Sequence, residues 1–263
     1  MSMLQDIRYG LRMIVKAPAF TLLALLALAL GVCANTTIFS LVNGLVLRPL
    51  TGIRDPERVV AVYTSDYSSG LYGSSSYPDY IDFRNQADAF ESLAAYDQVV
   101  QNVTGEAYAE RLRGIVVSAN YFDVLGVKAQ LGRTLQPPDE QNTNEQLVVI
   151  SDALWRRRFG ANPNVVGQTL TLNAKPYTIV GVTDPGFHGL RLGTPPEFWL
   201  PITVSSEYPK SGRGDRGLEL TGRLKPGVTP AQAQTQLTTI AARLAQTYPE
   251  TNLGTLERPN ECA

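Results

Sequence analysis

Residues Leu26–Leu47 read LALALGVCANTTIFSLVNGLVL. An apolar run this close to an N-terminus is a cleaved signal peptide, a lipoprotein signal ending at a cysteine, or a retained membrane span. The choice decides where the rest of the chain lives. No Asp, Glu, Lys or Arg lies between Lys16 and Arg48, so positions 17–47 form an uncharged stretch of 31 residues. As a helix that stretch is roughly 46 Å long, at about 1.5 Å per residue. A bilayer core needs about 20 residues. A signal peptide has an apolar core of about 7–15 residues followed by a small-residue cleavage site. Phe20–Ala34 has about that length, but Ile38, Phe39, Leu41, Val42 and Leu45–Leu47 carry the apolar run onward. In the lipobox reading, Val32 occupies the position before Cys33 where a small residue is expected. The pattern predicts a retained transmembrane helix over residues 18–48.

Upstream, MLQDIRYGLRMIVK has Leu4, Ile7, Leu11, Ile14 and Val15 at helical spacing, with Arg8, Arg12 and Lys16 on another face. This predicts an amphipathic interfacial helix over residues 1–17. Pro18 separates it from the span. The basic flank puts the N-terminus in the cytoplasm and the remainder outside. Within the span, Ala27, Gly31 and Asn35 recur every four residues, and Thr36, Thr37, Ser40 and Asn43 add polar groups. Small and polar residues let helices pack closely in lipid. Ala27, Gly31, Asn35, Thr36, Ser40 and Asn43 are therefore candidates for contact with partner helices.

Beyond Arg48 the pattern changes to short elements. RVVAVYT (Arg58–Thr64), QLVVIS (Gln146–Ser151), EFWLPI and LELTGRLK read as strands. FESLAAY and RLRGIVVS read as strands or short mixed elements. Pro78–Asn85, Ala119–Gly126 and Asp152–Phe159 read as short helices, the last two stopped by glycine. QTLTLN and PYTIVGV predict a hairpin turning at Ala174-Lys175. In GVTPAQAQTQLTTIAARLAQTYP, Thr229 is the expected N-cap and Pro230 the first helical residue. Leu237, Ile240, Leu244 and Tyr248 form its apolar stripe. The fold class is α+β: an interfacial helix, a single span, and a mixed α/β outer domain over residues 49–263.

The composition excludes several functions. Net charge is −1 in 263 residues, so bulk electrostatics give no case for nucleic acid. Cys33 and Cys262 are the only cysteines and His188 the only histidine, which removes multi-histidine and CxxC metal sites. No cofactor motif is present, and GxxxxGK[ST] is absent. Ser151 and Asp152 with His188 are a conceivable hydrolase set, but Ser151 lacks the GxSxG elbow and PGFHGL reads as a loop. GRGDRG (Gly212–Gly217) reads as a turn-rich loop rather than an adhesion motif. Two candidate contact surfaces remain. One is the basic cluster Arg156, Arg157 and Arg158, against its plainer reading as a solvated helix face. The other is the tyrosine-rich stretch containing Tyr67, Tyr72 and Tyr77.

Three ordered segments resemble a known family. VVISDALWRRRFGANPNVVGQTLTLNAKPYTIVGV (Val148–Val182) is similar to the periplasmic core domain of MacB-type ABC-transporter permeases, most of all to standalone permeases of the acidobacterial type. GRLKPGVTPAQAQTQLTTIAARLAQTYP (Gly222–Pro249) resembles the same group's later periplasmic helix. Leu4–Leu50 resembles its interfacial helix and first span. The resemblance implies a porter-like outer domain of βαβ units with an inserted lobe, and three further spans. It also implies a second permease copy (the same chain or a paralogue), a cytoplasmic ABC ATPase, membrane lipid and a candidate periplasmic adaptor as partners. The location implied is the inner membrane. The chain as given ends at Ala263, so it is expected to correspond to the N-terminal portion of such a permease and not to be an enzyme itself. The rival expectation is a single-pass receptor or scaffold with an extracytoplasmic binding domain.

Overall fold

The computed structural model describes residues 18–46, 52–66, 70–104, 109–141, 145–190, 195–205 and 207–252. The expected interfacial helix, with Arg8, Arg12 and Lys16, lies outside the described residues, as does Tyr67. The chain divides into two units, Met1–Pro49 and Leu50–Ala263.

In the first unit, α1 (Pro18–Val46) is a 29-residue helix with no charged side chain. Pro18 opens it, where a missing N–H costs nothing. Leu22, Leu23, Leu25, Leu28, Leu30 and Phe39 are exposed, Leu23 at 72% and Leu30 at 70%. Thr37 donates its hydroxyl to the Cys33 carbonyl at 2.7 Å, a bond that satisfies a polar side chain within the helix itself. The side chains at 20, 24, 34, 38 and 40–46 lie outside the described residues. Over the described residues alone, no helix is long and apolar enough to cross a membrane.

In the second unit, strands β1 (Val59–Val62), β5 (Phe90–Thr104), β6 (Ala109–Val117), β7 (Ala129–Gly132), β8 (Leu147–Ile150), β10 (Lys175–Thr183), β11 (Phe198–Pro201) and β12 (Arg216–Leu224) form the spine of a mixed sheet. Their order is β1-β12-β5-β6-β11-β8-β10-β7. The short β4 (Ser75–Ser76) joins β12, and β9 (Thr169–Leu172) joins β10 and β5. β2 (Thr64–Asp66) and β3 (Gly70–Gly73) make a separate two-stranded arm. The pairs β8/β10 and β6/β11 are parallel. Helix α5 (Asp152–Phe159), between the short helices α4 (Pro137–Gln141) and α6 (Ile202–Ser205) in chain order, lies between β8 and β10 in sequence, so this portion is a βαβ unit.

Both faces of the sheet are covered, and the residue alternation shows how. Leu218 and Leu220 of β12, Leu112 and Val116 of β6, and Phe198 and Leu200 of β11 enter one apolar cluster. Leu237, Ile240 and Leu244 of α7 (Pro230–Thr247) join it. Ile115 and Val117 of β6 and Trp199 of β11 turn the other way, into a second cluster with Tyr96, Phe187 and Tyr121 and Phe122 of α3 (Tyr121–Leu125). Successive strand residues point to opposite faces, so one strand feeds both clusters. Gly114 pairs with Phe198, and a Cβ there would meet the Phe198 ring at 2.1 Å. Its missing side chain makes room for the aromatic.

The local helix signals hold. Thr229 caps α7 with a full capping box to Gln232, and Pro230 is its first residue. Ser151 caps α5 by accepting from the Leu154 amide at 3.1 Å, and Gly160 ends it at φ 58°.

Two expectations need correction, and two hold with wider bounds. FESLAAY and RLRGIVVS belong to one long hairpin, β5 and β6, of 15 and 9 residues. Pairing with β6 holds Asp97, Gln98 and Asn102 in strand geometry that their propensities disfavour. The β9–β10 turn is Asn173-Ala174, at φ 46° and 62°, and Lys175 already pairs with Leu172. Two left-handed residues are what a tight hairpin turn requires. The helix expected over Pro78–Asn85 is α2 (Tyr77–Gln86), capped by Ser76. Tyr248 is the C-cap of α7 rather than part of its buried stripe, because its ring stacks on the Arg213 guanidinium at 3.8 Å.

Candidate functional site

Strands β1 and β12 and the β2–β3 arm enclose a cleft of about 480 Å³. Gly217, Glu219 and Thr221 alternate along β12 and so face it together. Tyr63 and Tyr72 form one wall, with ring centroids 5.3 Å apart and an interplanar angle of 83°. Tyr72 is 72% exposed. Tyr96 lies directly across from Glu219 in the β12–β5 ladder. Burial first, and then the Glu219 charge, push the Tyr96 hydroxyl well above the ordinary tyrosine range. The arm is anchored to the sheet by a 2.5 Å hydrogen bond between the Thr64 and Ser75 hydroxyls.

Tyr77 is not on this wall. It opens α2, packs on Tyr80 at 5.9 Å, and lies 3.5 Å from Glu140. Burial, with Glu140 as the next cause, raises its pKa to about 12.

A second cleft, of about 540 Å³, is lined by Arg111, Arg113, Arg157, Ser151, Asp152 and His188, among others. The fold thus brings the conceivable hydrolase set to one place. The groups are engaged structurally, however. The Ser151 hydroxyl accepts from the Leu154 amide, and the Asp152 carboxylate accepts from Arg156 and Gln130. Arg156 bonds Asp152 at 2.8 Å, Arg157 bonds Glu110 at 2.9 Å and Glu197 at 2.5 Å, and Arg158 meets Glu110 at 3.5 Å. The hydrogen bond from Arg156 holds the Asp152 carboxyl below the ordinary range.

Sequence reading missed the arginines held by β12. Arg223 is buried, donating to the main-chain carbonyls of Val124 at 2.7 Å, Arg54 at 2.5 Å and Asp55 at 3.4 Å. At the other end of the strand, Arg216 donates to the Thr251 carbonyl at 3.0 Å. Arg213 bonds Asp79 at 2.7 Å and Asp82 at 2.5 Å, and Asn252 donates to Asp79 at 2.9 Å. GRGDRG is therefore a clamp on α8 (Pro249–Asn252) and α2. On α1, Ala27, Gly31, Asn35 and Thr36 are exposed, and a Cβ on Gly31 would meet nothing within 4 Å. Ser40 and Asn43 lie on the same helix with side chains outside the described residues.

These features define a mixed α/β domain whose two-faced sheet carries an aromatic cleft and whose β12 ties together distant parts of the chain. The family described as MacB-like periplasmic core domain matches residues 21–240, which is 220 of the 263 positions. The chain belongs to that family. It is 29% identical over 232 residues to a macrolide export ATP-binding/permease protein MacB of Burkholderia thailandensis, covering 83% of this chain and 34% of that protein. It is 24% identical over 237 residues to a probable syringafactin export ATP-binding/permease protein of Pseudomonas syringae, covering 82% and 33%. The chain thus spans about a third of the length of these relatives. Among solved structures it is similar to the periplasmic region of MacB from Actinobacillus actinomycetemcomitans, with a TM-score of 0.55 and 18% identity over 81% of this chain and 90% of that one. It is also similar to the extracellular domain of the ABC-type transporter YknZ, with a TM-score of 0.54 and 14% identity over 73% and 95%.

Proposed function

We propose that this chain is the span and outer domain of a MacB-type ABC permease, coupling cytoplasmic ATP hydrolysis to motion of an extracytoplasmic domain during export or mechanotransmission. The observation that carries the reading is the match of the periplasmic-core family to residues 21–240, which takes in most of α1. That helix is 29 residues long, uncharged, and about 43 Å in length at the usual rise. Its exposed leucines would be costly in water and are at home in lipid. In this reading the helix crosses the inner membrane and the segment bearing Arg8, Arg12 and Lys16 lies on the cytoplasmic interface. Ala27, Gly31, Asn35, Thr36, Ser40 and Asn43 face partner helices. The βαβ portion β8–α5–β10 belongs to the porter-like part. A second permease copy and a separate ATPase complete the assembly, with an adaptor as a further partner. ATP binding closes the cytoplasmic subunits, the span shifts, and the outer domain is re-posed.

The test is disulfide cross-linking through Thr37→Cys or Ser40→Cys, in a Cys33→Ala, Cys262→Ala background, in the permease assembled with its ATPase. The cross-link yield is expected to change between the ATP-bound and nucleotide-free states. A pattern indifferent to nucleotide would end the coupling reading. The second reading, a single-pass receptor or scaffold, gains support from the aromatic cleft, since a ligand pocket needs no ATPase.

A further inference from the structure

We propose that the second cleft binds a small soluble organic anion, a phosphate or carboxylate carried on a compact apolar body, with its charged group held by Arg111 and Arg157. Two independent observations lead there. The first is topology. The parallel strands β8 and β10 both end at this cleft, which is lined by Ser151 and Asp152 after β8 and by Pro185, Phe187 and His188 after β10. The chain passes from β8 to β10 on one side of β8 and returns as β11 on the other, antiparallel to β8. The two connections leave for opposite faces of the sheet. Leu154 and Trp155 of α5 pack into the first apolar cluster, whereas Phe187 and Leu190 of the β10–β11 connection pack with the second. Connections that part in this way leave a crevice at the carboxyl ends of the strands, where open α/β sheets bind their ligands.

The second observation is the donor set. Arg111 and Arg113 are two apart on β6, so both leave the strand from one face, and both are exposed. Arg157 gives both of its carboxylate bonds, to Glu110 at 2.9 Å and Glu197 at 2.5 Å, from Nη2. A guanidinium carries five N–H groups in a fixed fork, so Nε and Nη1 keep donors for a ligand. That fork matches the paired oxygens of a carboxylate or phosphate. The carboxylates of the lining are already held, Asp152 by Arg156 and Gln130, and Glu197 by Arg157. A cation would have to break those bonds to reach them. A neutral ligand would strip water from the arginines and return nothing. Pro185, Phe187, Pro195 and Pro196 supply apolar lining for the ligand's body. A volume of about 540 Å³ lies within the range of small-molecule sites.

The inference does not depend on the transport reading, because the probes need neither nucleotide nor ATPase. His188 lines the cleft and is the only histidine in the chain, so its ring is a single, unambiguous NMR reporter. The full chain, labelled at histidine and held in non-ionic detergent, is titrated at fixed pH and ionic strength with phenyl phosphate and with neutral benzyl alcohol. Phenyl phosphate is expected to shift the His188 ring resonances saturably, and benzyl alcohol to leave them in place at equal concentration. Arg111→Gln is expected to weaken phenyl phosphate binding about ten-fold, the loss of one charge-assisted contact. Lys175→Gln removes the same charge from an exposed position outside the cleft lining. It is expected to change the affinity by less than about two-fold, since salt screens exposed charges at a distance. Equal shifts from the two probes, no saturable shift with phenyl phosphate, unchanged affinity in a folded Arg111→Gln protein, or an equal loss in Lys175→Gln would overturn the proposal. Failure here leaves the cross-linking result intact, and the converse holds.

Discussion

Two sets of three arginines carry the same charge and do different things. Arg156, Arg157 and Arg158 are consecutive, sit on the last turn of α5, and find carboxylates on Asp152, Glu110 and Glu197. Arg213, Arg216 and Arg223 are scattered over eleven positions and converge on carbonyls and carboxylates from distant segments. The Arg156 side chain is 58% exposed and that of Arg223 only 1%. Exposed pairs are screened by water and salt, and hold long side chains still for little return. A buried guanidinium that satisfies three main-chain carbonyls cannot be removed without stranding them. Charge density in a sequence is therefore a poor guide to where electrostatics hold a fold.

The comparison can be broken at three points. Arg223→Met should have the largest effect, a loss of about 3–5 kcal/mol from stranded carbonyls around a buried site. Denaturant unfolding of the full chain, followed by tryptophan fluorescence, would show it. A shift in midpoint no larger than that of a surface variant would erase the distinction drawn here. Asp79→Asn comes next, at about 2–4 kcal/mol, because it takes the shared counter-charge from Arg213 and Arg216 while keeping the side-chain volume. Proteolysis near Thr251 should accelerate in the same variant as α8 loosens.

The surface set should respond weakly. Arg157→Gln is expected to cost less than about 1 kcal/mol, and less still at high salt. The nearby Asp152 adds a pH signature. Its folded pKa is lowered, first by the Arg156 hydrogen bond. Its stabilising contribution is then present above the unfolded value of about 4 and is lost as pH falls through the lower folded value. Two-dimensional NMR titration of the Asp152 carboxyl carbon checks the direction. A midpoint at or above 4 would contradict it.

What the sequence disclosed was local. Thr229-Pro230 announced the start of α7 and Gly160 the end of α5, because caps are chosen by residues within a few positions. The family was legible from three ordered segments. The full extent of β5 was not, since Asp97, Gln98 and Asn102 become strand residues only by pairing with Val116, Ile115 and Arg111 across the hairpin. The turn at Asn173-Ala174 was misjudged by one residue, because an alanine at φ 62° gives no compositional hint of a left-handed position. The candidate site divided along the same line. The tyrosine-rich stretch pointed to Tyr72, but it could not separate Tyr72 from the packed Tyr77. It gave no sign that Glu219, some 150 residues away, completes the cleft.

One consequence of β12 concerns distance. Arg223 fastens the lead-in segment at Arg54 and Asp55, and Arg216 fastens the last described helix at Thr251. Seven residue steps of a strand separate the two arginines, about 24 Å at 3.4 Å each. The strand is a ruler. A slip by one residue would turn Leu218 and Leu220 out of their cluster, so the ruler has only one setting. The interval between the two fastened segments is written into the length of a single strand.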